Sequence, residues 1–401
     1  MRKPPPSQPT ALLAANRGWA LWSSRRGIVE GLLAAGWRVI VATAADEWAQ
    51  KLAELGADLV EVRFARSGLS PRADAAALRA MVKLLRQERP GLMHLFHAKP
   101  MLLGGLAARW VRPRKVAGKE PGKEAEKRVL VGTVTGLGQA FERSALARQL
   151  ALAGYRVSLP AYDAVVFQNP DDRDFFLQRR LLTSQQARLI VSSGVDLERF
   201  RLPADPELDQ RRHRERPRVL MVARWLKSKG VEEFLEAARQ LKERFPQARF
   251  QLAGERDEHH PESVPEAVLS RASAEGVVEI LGYRRQLELD LAETSIFVLP
   301  SYYREGVPRT ALEAAACGAA LVVADAPGTR ETVEEGVTGL RVPPRDSGAL
   351  AQALGQLLAD EELRRQFGTA GRRRIEESFD LRDILRRQLD LYGELGARPS
   401  P

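Results

Sequence analysis

The chain has 401 residues, of which 44% are hydrophobic and 28% charged, enough to bury a core in each of two domains of a globular protein. Its single cysteine, Cys317, excludes an intramolecular disulfide framework and a multi-cysteine zinc site. The net charge of +10 is uneven, because residues 1–200 hold 31 basic and 18 acidic side chains while residues 201–401 hold 31 and 34.

The first half alternates short apolar runs with longer amphipathic stretches. Strands are predicted at residues 11–16, 38–43, 59–64, 91–96, 129–134 and 163–169, with helical spacing between them, for example over 73–87. This alternation predicts a parallel sheet covered by helices on both faces. Residues 112–128 are basic and poor in apolar side chains, so we predict a flexible surface insertion there.

The second half repeats the same alternation. Strands are predicted at residues 218–224, 248–254, 278–282, 295–300 and 319–325. We therefore expect an α/β protein of two Rossmann-like domains, 1–195 and 208–378, facing each other across a cleft and joined by a linker around 192–207. The helical pattern at 382–395 is left over, and we expect residues 379–401 to return to the first domain.

In such sheets ligands bind beyond the carboxyl ends of the strands, where loops open the helices. The loop after the first predicted strand, NRGWALW, lacks the GxGxxG pattern, which counts against a nicotinamide or flavin enzyme. The stretch DEHHPE at 257–262 is interpreted as a solvated loop rather than a metal site. The run NPDDRD at 169–174 is interpreted as a helix start rather than a metal-binding DxD.

Two glutamates, Glu305 and Glu313, flank a predicted helix start near Pro308. Helical geometry separates them by on the order of 12 Å, whereas the two carboxyl groups of a glycoside hydrolase lie roughly 5–9.5 Å apart. A long ligand with a sugar at each end fits better. The N–H groups of Gly306, Val307 and the first helical turn suit anionic oxygens between the two ends, which is the order of groups in a nucleotide sugar.

Positive charge for a diphosphate is predicted on another loop. Arg224 ends the strand at 218–224, and Lys229 precedes Gly230 at the start of a helix. A guanidinium and an ammonium there can hold a diphosphate and stabilise the charge it gains as the glycosidic bond breaks.

These residues lie in two motifs, ARWLKSKG and the run at 299–346, which together resemble the family 4 glycosyltransferases, a retaining class of the GT-B fold. The first half resembles the capsule and O-antigen branch that extends undecaprenyl-diphosphate-linked sugars. The motifs that carry this second resemblance are RSGLSP, HLFHAKP, GTVTGLG, FQNPDD and SGVDLERF. The likeness spans roughly residues 11–395.

The resemblance implies roles for individual residues. Arg224 and Lys229 would hold the donor diphosphate, while Glu305 and the turn of Gly306, Val307 and Pro308 would contact the transferred sugar and phosphate. Glu313 would bind the ribose hydroxyls, and the loop at Gly282 and Tyr283 would meet the base.

The first domain supplies the remaining candidates. His97 is a catalytic candidate, although many relatives carry a histidine where this chain has Phe96, so His94 stays an alternative for the side chain that faces the cleft. Arg25, Lys99, Gly136 and Gly138 are candidates for the acceptor side, and Lys99 is equally compatible with a surface position.

We therefore expect a retaining glycosyltransferase that moves a hexose or N-acetylhexosamine from a nucleotide sugar, UDP-linked by preference, to a polyprenyl-diphosphate-linked saccharide. We expect neither a cofactor nor a metal. The alternatives are a soluble or lipid A core acceptor, or a catalytically silent nucleotide-sugar-binding protein.

The basic first half suits contact with an anionic membrane. No nucleic-acid-binding module or aromatic-basic interleaving accompanies the charge, so nucleic acid is not an expected partner. The apolar run near the start is about five residues, shorter than the core of a signal peptide. These features predict a cytoplasmic protein associated peripherally with the inner face of the membrane.

Overall fold

The computed structural model describes residues 8–65, 70–111, 128–137, 145–205, 207–208, 210, 212 and 216–397. The chain divides into two compact units: residues Met1–Ser193 with Ile384–Pro401, and residues Gly194–Asp383. From the sequence, the first domain was predicted to end at residue 195, the second to begin at 208, and the returning C-terminal segment to begin at 379.

The first unit is built on a seven-stranded sheet whose neighbouring strands are all parallel, in the order β3-β2-β1-β4-β5-β6-β7. The strands are β1 (Thr10–Ala14), β2 (Arg38–Thr43), β3 (Asp58–Glu61), β4 (Leu92–Phe96), β5 (Val129–Val134), β6 (Ala164–Phe167) and β7 (Ala187–Leu189). Strands β1, β4, β5 and β6 are buried along their whole length, as expected for a sheet covered on both faces.

Helices cover both faces of this sheet. The described helices are α1 (Gly18–Ala34), α2 (Glu47–Glu54), α3 (Pro71–Glu88), α4 (Ala98–Trp110), α5 (Ala145–Ser158) and α6 (Pro170–Gln178). One buried cluster joins the sheet to α3, α4, α5 and α6, and the other joins it to α1, α2 and the last helix of the chain. Helix α6 begins as predicted at NPDDRD, where the Asn169 side chain accepts a 2.7 Å hydrogen bond from the backbone N–H of Asp172.

The second unit contains a six-stranded parallel sheet in the order β10-β9-β8-β11-β12-β13. Its strands are β8 (Arg218–Val222), β9 (Arg249–Ala253), β10 (Glu279–Gly282), β11 (Ile296–Leu299), β12 (Ala320–Ala324) and β13 (Gly339–Val342). Its helices are α7 (Val231–Lys242), α8 (Glu266–Ala274), α9 (Leu287–Ala292), α10 (Arg309–Ala316), α11 (Ser347–Ala359) and α12 (Glu361–Ser378). Both sheets are parallel and helix-covered, which confirms the predicted α/β class.

The last helix, α13 (Leu381–Glu394), runs from the end of the second unit into the first. From Ile384 onwards its residues are grouped with the first unit, where Ile384, Leu391 and Tyr392 join the cluster on the α1 side of the sheet. Leu385 fits against Gly27 of α1, where a Cβ would lie 2.3 Å from a leucine methyl. A side chain at Gly27 would therefore require the Leu385 side chain to shift.

Sequence patterns missed two strands and made several others too long. The edge strands β7 and β13 were not predicted, because the first is only three residues long and the second is part-exposed. The strand predicted at 59–64 ends at Glu61. Cys317 directly follows α10 and is buried, and this burial raises the pKa of its thiol to about 12, so it packs as a small apolar group. Among the described residues, no helix is long and apolar enough to cross a bilayer.

Candidate functional site

The predicted donor residues of the second unit lie on loops at one edge of its sheet. Strands β8 and β11 pair directly, with Ile296 opposite Val219 and Val298 opposite Met221. Because the two strands are parallel, the loops that follow them leave the sheet at the same edge. This register brings the segment after β8 next to the segment after β11.

Lys229 and Glu305 meet at this edge. The Nζ of Lys229 lies 2.6 Å from Oε1 of Glu305, and the two side chains are only 11% and 17% exposed. The hydroxyl of Ser301 donates a 2.8 Å hydrogen bond to the same carboxylate oxygen. The Nζ also lies 4.9 Å from the centre of the Tyr303 ring, so a carboxylate oxygen and an aromatic face hold the ammonium in a part-buried position.

Gly230 allows the two loops to approach this closely. Its φ is +77°, and a Cβ at this position would lie 2.4 Å from the carbonyl oxygen of Pro300 at the end of β11. The backbone N–H groups of Tyr302 and Tyr303 each donate a 3.0 Å hydrogen bond to the carbonyl of Ser228. The loops are thus joined through their backbones, and Lys229 is positioned by that junction.

A third loop, after β12, supports the turn at Glu305 and Gly306. Gly328 has a φ of +93°, and a Cβ there would lie 2.2 Å from the carbonyl oxygen of Gly306 and 2.6 Å from that of Glu305. Sequence reasoning did not single out Gly328 or Ser301. The Pro-Gly dipeptide at 327–328 is the signal that indicates a turn there, whereas nothing in the sequence pattern indicates the contact of Ser301 with Glu305.

Helix α10 follows this turn. Pro308 is its N-cap residue and the helix runs from Arg309, as expected for a start near Pro308; no side chain of a described residue caps it. Gly306, Val307 and Pro308 are buried. Glu313 is buried as well, and its Oε1 lies 2.7 Å from a guanidinium nitrogen of Arg309 one turn earlier. The ribose role of Glu313 therefore stays a prediction about a carboxylate that already has an arginine partner.

Arg224 lies on the loop after β8, with a different neighbour. Its guanidinium is 48% exposed and 3.5 Å from Oδ2 of Asp257, within the DEHHPE segment. The structure thus brings Lys229, but not Arg224, into contact with Glu305 of the candidate turn.

The segment predicted to meet the base also lies at this edge. Strand β10 ends at Gly282, whose carbonyl accepts a 2.9 Å hydrogen bond from the N–H of Gly254 after β9. Gly254 in turn packs against β8, since a Cβ there would lie 1.9 Å from the carbonyl oxygen of Ala223. Tyr283 is exposed. Its ring is therefore accessible to a ligand at this end of the sheet.

In the first unit the structure distinguishes the two histidines. His94 is fully buried within β4, with Nδ1 2.5 Å from the Tyr392 hydroxyl and Nε2 2.7 Å from Oγ1 of Thr133. Burial and the charge of Arg25 lower the pKa of His94 well below its usual value. His94 therefore acts as a neutral core residue that joins α13 to the sheet.

His97 lies one residue after β4 and is part-exposed, with a φ of +69°. Burial and the charge of Arg25 lower its pKa to about 4, so the imidazole is neutral at pH 7. Among the described residues none is within hydrogen-bonding distance of its Nδ1. Of the two histidines, only His97 has a buried ring nitrogen, Nδ1, that lacks a hydrogen-bond partner among the described residues.

The other candidates of the first unit are dispersed. Arg25 is buried in α1, with its guanidinium 5.1 Å from the centre of the Phe96 ring. Lys99 forms an ion pair with Asp74 in which both side chains are mostly shielded, so it is neither an exposed surface lysine nor an unneutralised cation. Gly136 follows β5 with a φ of +102°, and Gly138 lies outside the described residues.

The chain matches two protein families along most of its length. Residues 21–190 match the family described as "Glycosyl transferase 4-like domain", and residues 206–374 match "Glycosyl transferases group 1". The first match covers strands β2 to β7 and the second covers strands β8 to β13.

The chain is similar to curated proteins over much of its length. The chain is 29% identical over 391 residues to the N,N'-diacetylbacillosaminyl-diphospho-undecaprenol alpha-1,3-N-acetylgalactosaminyltransferase of Campylobacter jejuni, covering 94% of this chain and 96% of that one. It is 31% identical over 260 residues to the alpha-maltose-1-phosphate synthase of Mycolicibacterium smegmatis, covering 60% of this chain and 66% of the other.

Solved structures share the fold. The sucrose-phosphate synthase of Thermosynechococcus elongatus superimposes with a TM-score of 0.75 and 24% identity, covering 97% of this chain and 99% of that one. HepE of Anabaena, solved in complex with UDP, superimposes with a TM-score of 0.76 and 18% identity, covering 96% of this chain and all of the other (100%). At these identities the likeness establishes the fold alone.

Proposed function

Because the chain belongs to the GT-B glycosyltransferases, with a glycosyl transferase 4-like and a group 1 domain, we propose that it is a retaining enzyme with a nucleotide-sugar donor and a lipid-linked acceptor. The transferred group is a hexose or N-acetylhexosamine, and the acceptor is a polyprenyl-diphosphate-linked saccharide of a surface glycan. The observation that carries the donor half of this proposal is the part-buried pair of Lys229 and Glu305 at the carboxyl edge of the second sheet.

This pair suits a sugar diphosphate. Lys229 donates to the diphosphate oxygens while its ion pair with Glu305 keeps the ammonium aimed at the α10 turn. Glu305 orients the sugar, and Arg224, which is half exposed beside Asp257, swings to the phosphates when the donor binds. These cations neutralise the negative charge on the leaving group, so we expect transfer to proceed without a metal. Turnover measured with and without EDTA tests this expectation, and it should be unchanged.

In this proposal the sugar is transferred by a same-face substitution. The bond between the anomeric carbon and the diphosphate oxygen breaks, and a bond from the acceptor hydroxyl oxygen to that carbon forms on the same face. The hydroxyl proton passes to the departing phosphate. Lys229 and Arg224 stabilise the negative charge that the diphosphate gains as its bond to the sugar lengthens. Glu305 forms no covalent bond to the sugar in this scheme.

The acceptor proposal is supported by the Campylobacter jejuni relative, whose name describes a diphospho-undecaprenol-linked substrate and which the chain matches over 94% of its length. The basic first half of the chain fits a diphosphate-bearing acceptor and a peripheral position at the inner face of an anionic membrane. A soluble or lipid A core saccharide is the alternative acceptor, and nucleic acid is not an expected partner.

The test is release of UDP or GDP from a panel of nucleotide sugars, each combined with a short-chain polyprenyl-diphosphate saccharide or a soluble saccharide. We expect turnover with one UDP-sugar and the lipid-linked acceptor. Glu305→Ala is expected to abolish transfer while UDP binding is retained. If the wild-type protein binds UDP but produces no UDP or GDP with any combination of donor and acceptor, the chain is better described as a catalytically silent nucleotide-sugar-binding protein.

A further inference from the structure

Helix α5 exposes an apolar stripe on the outer face of the first unit. Leu146 is 69% exposed, Leu150 43% and Val157 49%, and Ala153 between them is exposed too. The four positions follow a spacing of four, three and four residues, so at 3.6 residues per turn they share roughly 60° of the helix circumference. The opposite side of α5 buries Leu152 and Tyr155 in the core. The stripe is thus a second apolar face that the described residues of the unit do not cover.

Trp110 extends this surface at the end of the neighbouring helix. It is the last residue of α4 and is 65% exposed. The preceding residue, Arg109, is exposed and donates a 3.0 Å hydrogen bond to the carbonyl of Val157 at the end of the stripe. Leu102 of α4 packs against Gly154 of α5. The two helices therefore lie side by side, and Trp110 adjoins the Val157 end of the stripe.

Two cations of this surface, Arg109 and Arg156, have no acidic partners in the described part of the chain. Neither α4 nor α5 contains an aspartate or glutamate, and no described carboxylate lies within ion-pair distance of Arg109 or Arg156. The surface of α12 is arranged differently, since three of its arginines pair with glutamates one turn away, as Arg373 does with Glu377. The α4–α5 surface thus combines apolar side chains with two arginines that no described carboxylate neutralises.

We propose that this surface, formed by Leu146, Leu150, Val157, Trp110, Arg109 and Arg156, docks the first unit on an anionic lipid bilayer. This inference rests on the proposed lipid-linked acceptor and names the surface that contacts the membrane. Leucine and valine enter the boundary between headgroups and acyl chains, the indole lies at headgroup level, and the guanidinium groups contact lipid phosphates.

Charge favours a bilayer over a second copy of the chain. Two copies paired through this face would bring arginines together without a described carboxylate on either helix to compensate them. The orientation also fits a lipid-linked acceptor. Helix α5 lies in the crossover from β5 to the parallel strand β6, so its Leu146 end is nearest the sheet edge where β4 and β5 end, beside His97 and Gly136.

Vesicle flotation tests this assignment. We expect the full chain to float with phosphatidylcholine vesicles that contain phosphatidylglycerol, more weakly at high salt, and not with phosphatidylcholine alone. The double variant Leu146→Glu/Leu150→Glu should lose at least about tenfold in binding. In Arg109→Gln/Arg156→Gln, vesicle binding should weaken about fivefold for each charge removed. Leu289→Glu, at an exposed leucine of the second unit, is the matched control and should bind like the wild type.

Two further readouts separate this inference from the proposed function. UDP release with the short-chain acceptor should be unchanged in Leu146→Glu/Leu150→Glu, since that acceptor needs no bilayer. The docking surface would be overturned if the wild type did not float, if it floated equally well with neutral vesicles, or if neither double variant reduced flotation. None of these results would contradict the proposed glycosyl transfer. Light scattering provides the second readout. If the wild type is a dimer and Leu146→Glu/Leu150→Glu is a monomer, the surface is an interface between two chains and the membrane proposal is wrong.

Discussion

The Nζ of Lys229 lies 2.6 Å from Oε1 of Glu305, although 75 residues separate them in the sequence. Each residue is on a loop that follows a strand, and the two strands, β8 and β11, are neighbours in one sheet. The ion pair connects the segment predicted to hold the donor diphosphate with the segment predicted to contact the transferred sugar and phosphate. We therefore expect catalysis and stability to be coupled at this position.

Lys229→Ala should lower both turnover and stability. Loss of one charged contact to the leaving group is expected to reduce kcat about 10²–10³-fold. The shielded carboxylate of Glu305 loses its cation, so the free energy of unfolding should fall by about 3 kcal/mol, the lower end for a buried pair. The matched control is Lys227→Ala, an exposed lysine two residues earlier, which should change neither quantity in UDP-release and thermal-unfolding assays. Normal turnover by Lys229→Ala would contradict the phosphate role.

Arg224→Gln should lower turnover alone. The Arg224 guanidinium is half exposed and 3.5 Å from Asp257, and such a pair contributes at most about 1 kcal/mol to stability. We expect kcat to fall about 10²-fold with an unchanged unfolding midpoint. Asp257→Asn breaks the same ion pair but keeps the cation, so it should retain activity. Equal losses of kcat in both variants would indicate that turnover depends on the ion pair and not on the guanidinium alone.

Gly328→Ala should impair the site through backbone displacement. A Cβ there would lie 2.2 Å from the carbonyl oxygen of Gly306, so the turn that carries Glu305 must move; a shift of about 1 Å can cost 10²-fold in kcat/KM. Gly336→Ala is the control, because Gly336 also has a positive φ, +70°, but has open space around its Cβ position. That variant should lose about 1–2 kcal/mol of stability and keep its kcat/KM.

Tyr392→Phe should destabilise the first unit. The Tyr392 hydroxyl is 2.5 Å from Nδ1 of the fully buried His94, and removing it leaves a buried imidazole nitrogen without a partner. The expected loss is about 1–3 kcal/mol in the free energy of unfolding, measured with denaturant. Tyr283→Phe, at an exposed tyrosine, should leave stability unchanged. An unaltered midpoint in Tyr392→Phe would mean that solvent replaces the hydroxyl.

Stability should fall as the pH drops from about 6.5 towards 4. The pKa of His97 is lowered from 6.5 to about 4 in the folded chain, so within this window the unfolded chain binds the extra proton. The free energy of unfolding is therefore highest above pH 6.5 and declines below it, by on the order of 3 kcal/mol for this residue. His97→Gln should flatten that decline without removing it, because the pKa of His94 is lowered as well. Denaturant titrations at several pH values measure both slopes.

The sequence predicted the fold where its patterns are long and periodic. The strands at 11–16 and 129–134 and the helix at 382–395 correspond to β1, β5 and α13 within about two residues. The missed β7 and β13 are short edge strands whose residues are not a continuous apolar run. Hydrophobic periodicity detects burial, so an element that is only half buried gives a weak signal.

Residue types and spacing determined that the chain is a two-domain α/β protein, and the motifs around Lys229 and Glu305 indicated a glycosyltransferase. Only the tertiary structure decided which side chains touch. It paired Lys229 with Glu305 through the register of β8 and β11, placed Arg224 beside Asp257, neutralised Lys99 with Asp74, and buried His94 against Tyr392. Such contacts join residues far apart in the chain, and they depend on strand order and loop geometry, which local sequence patterns do not encode.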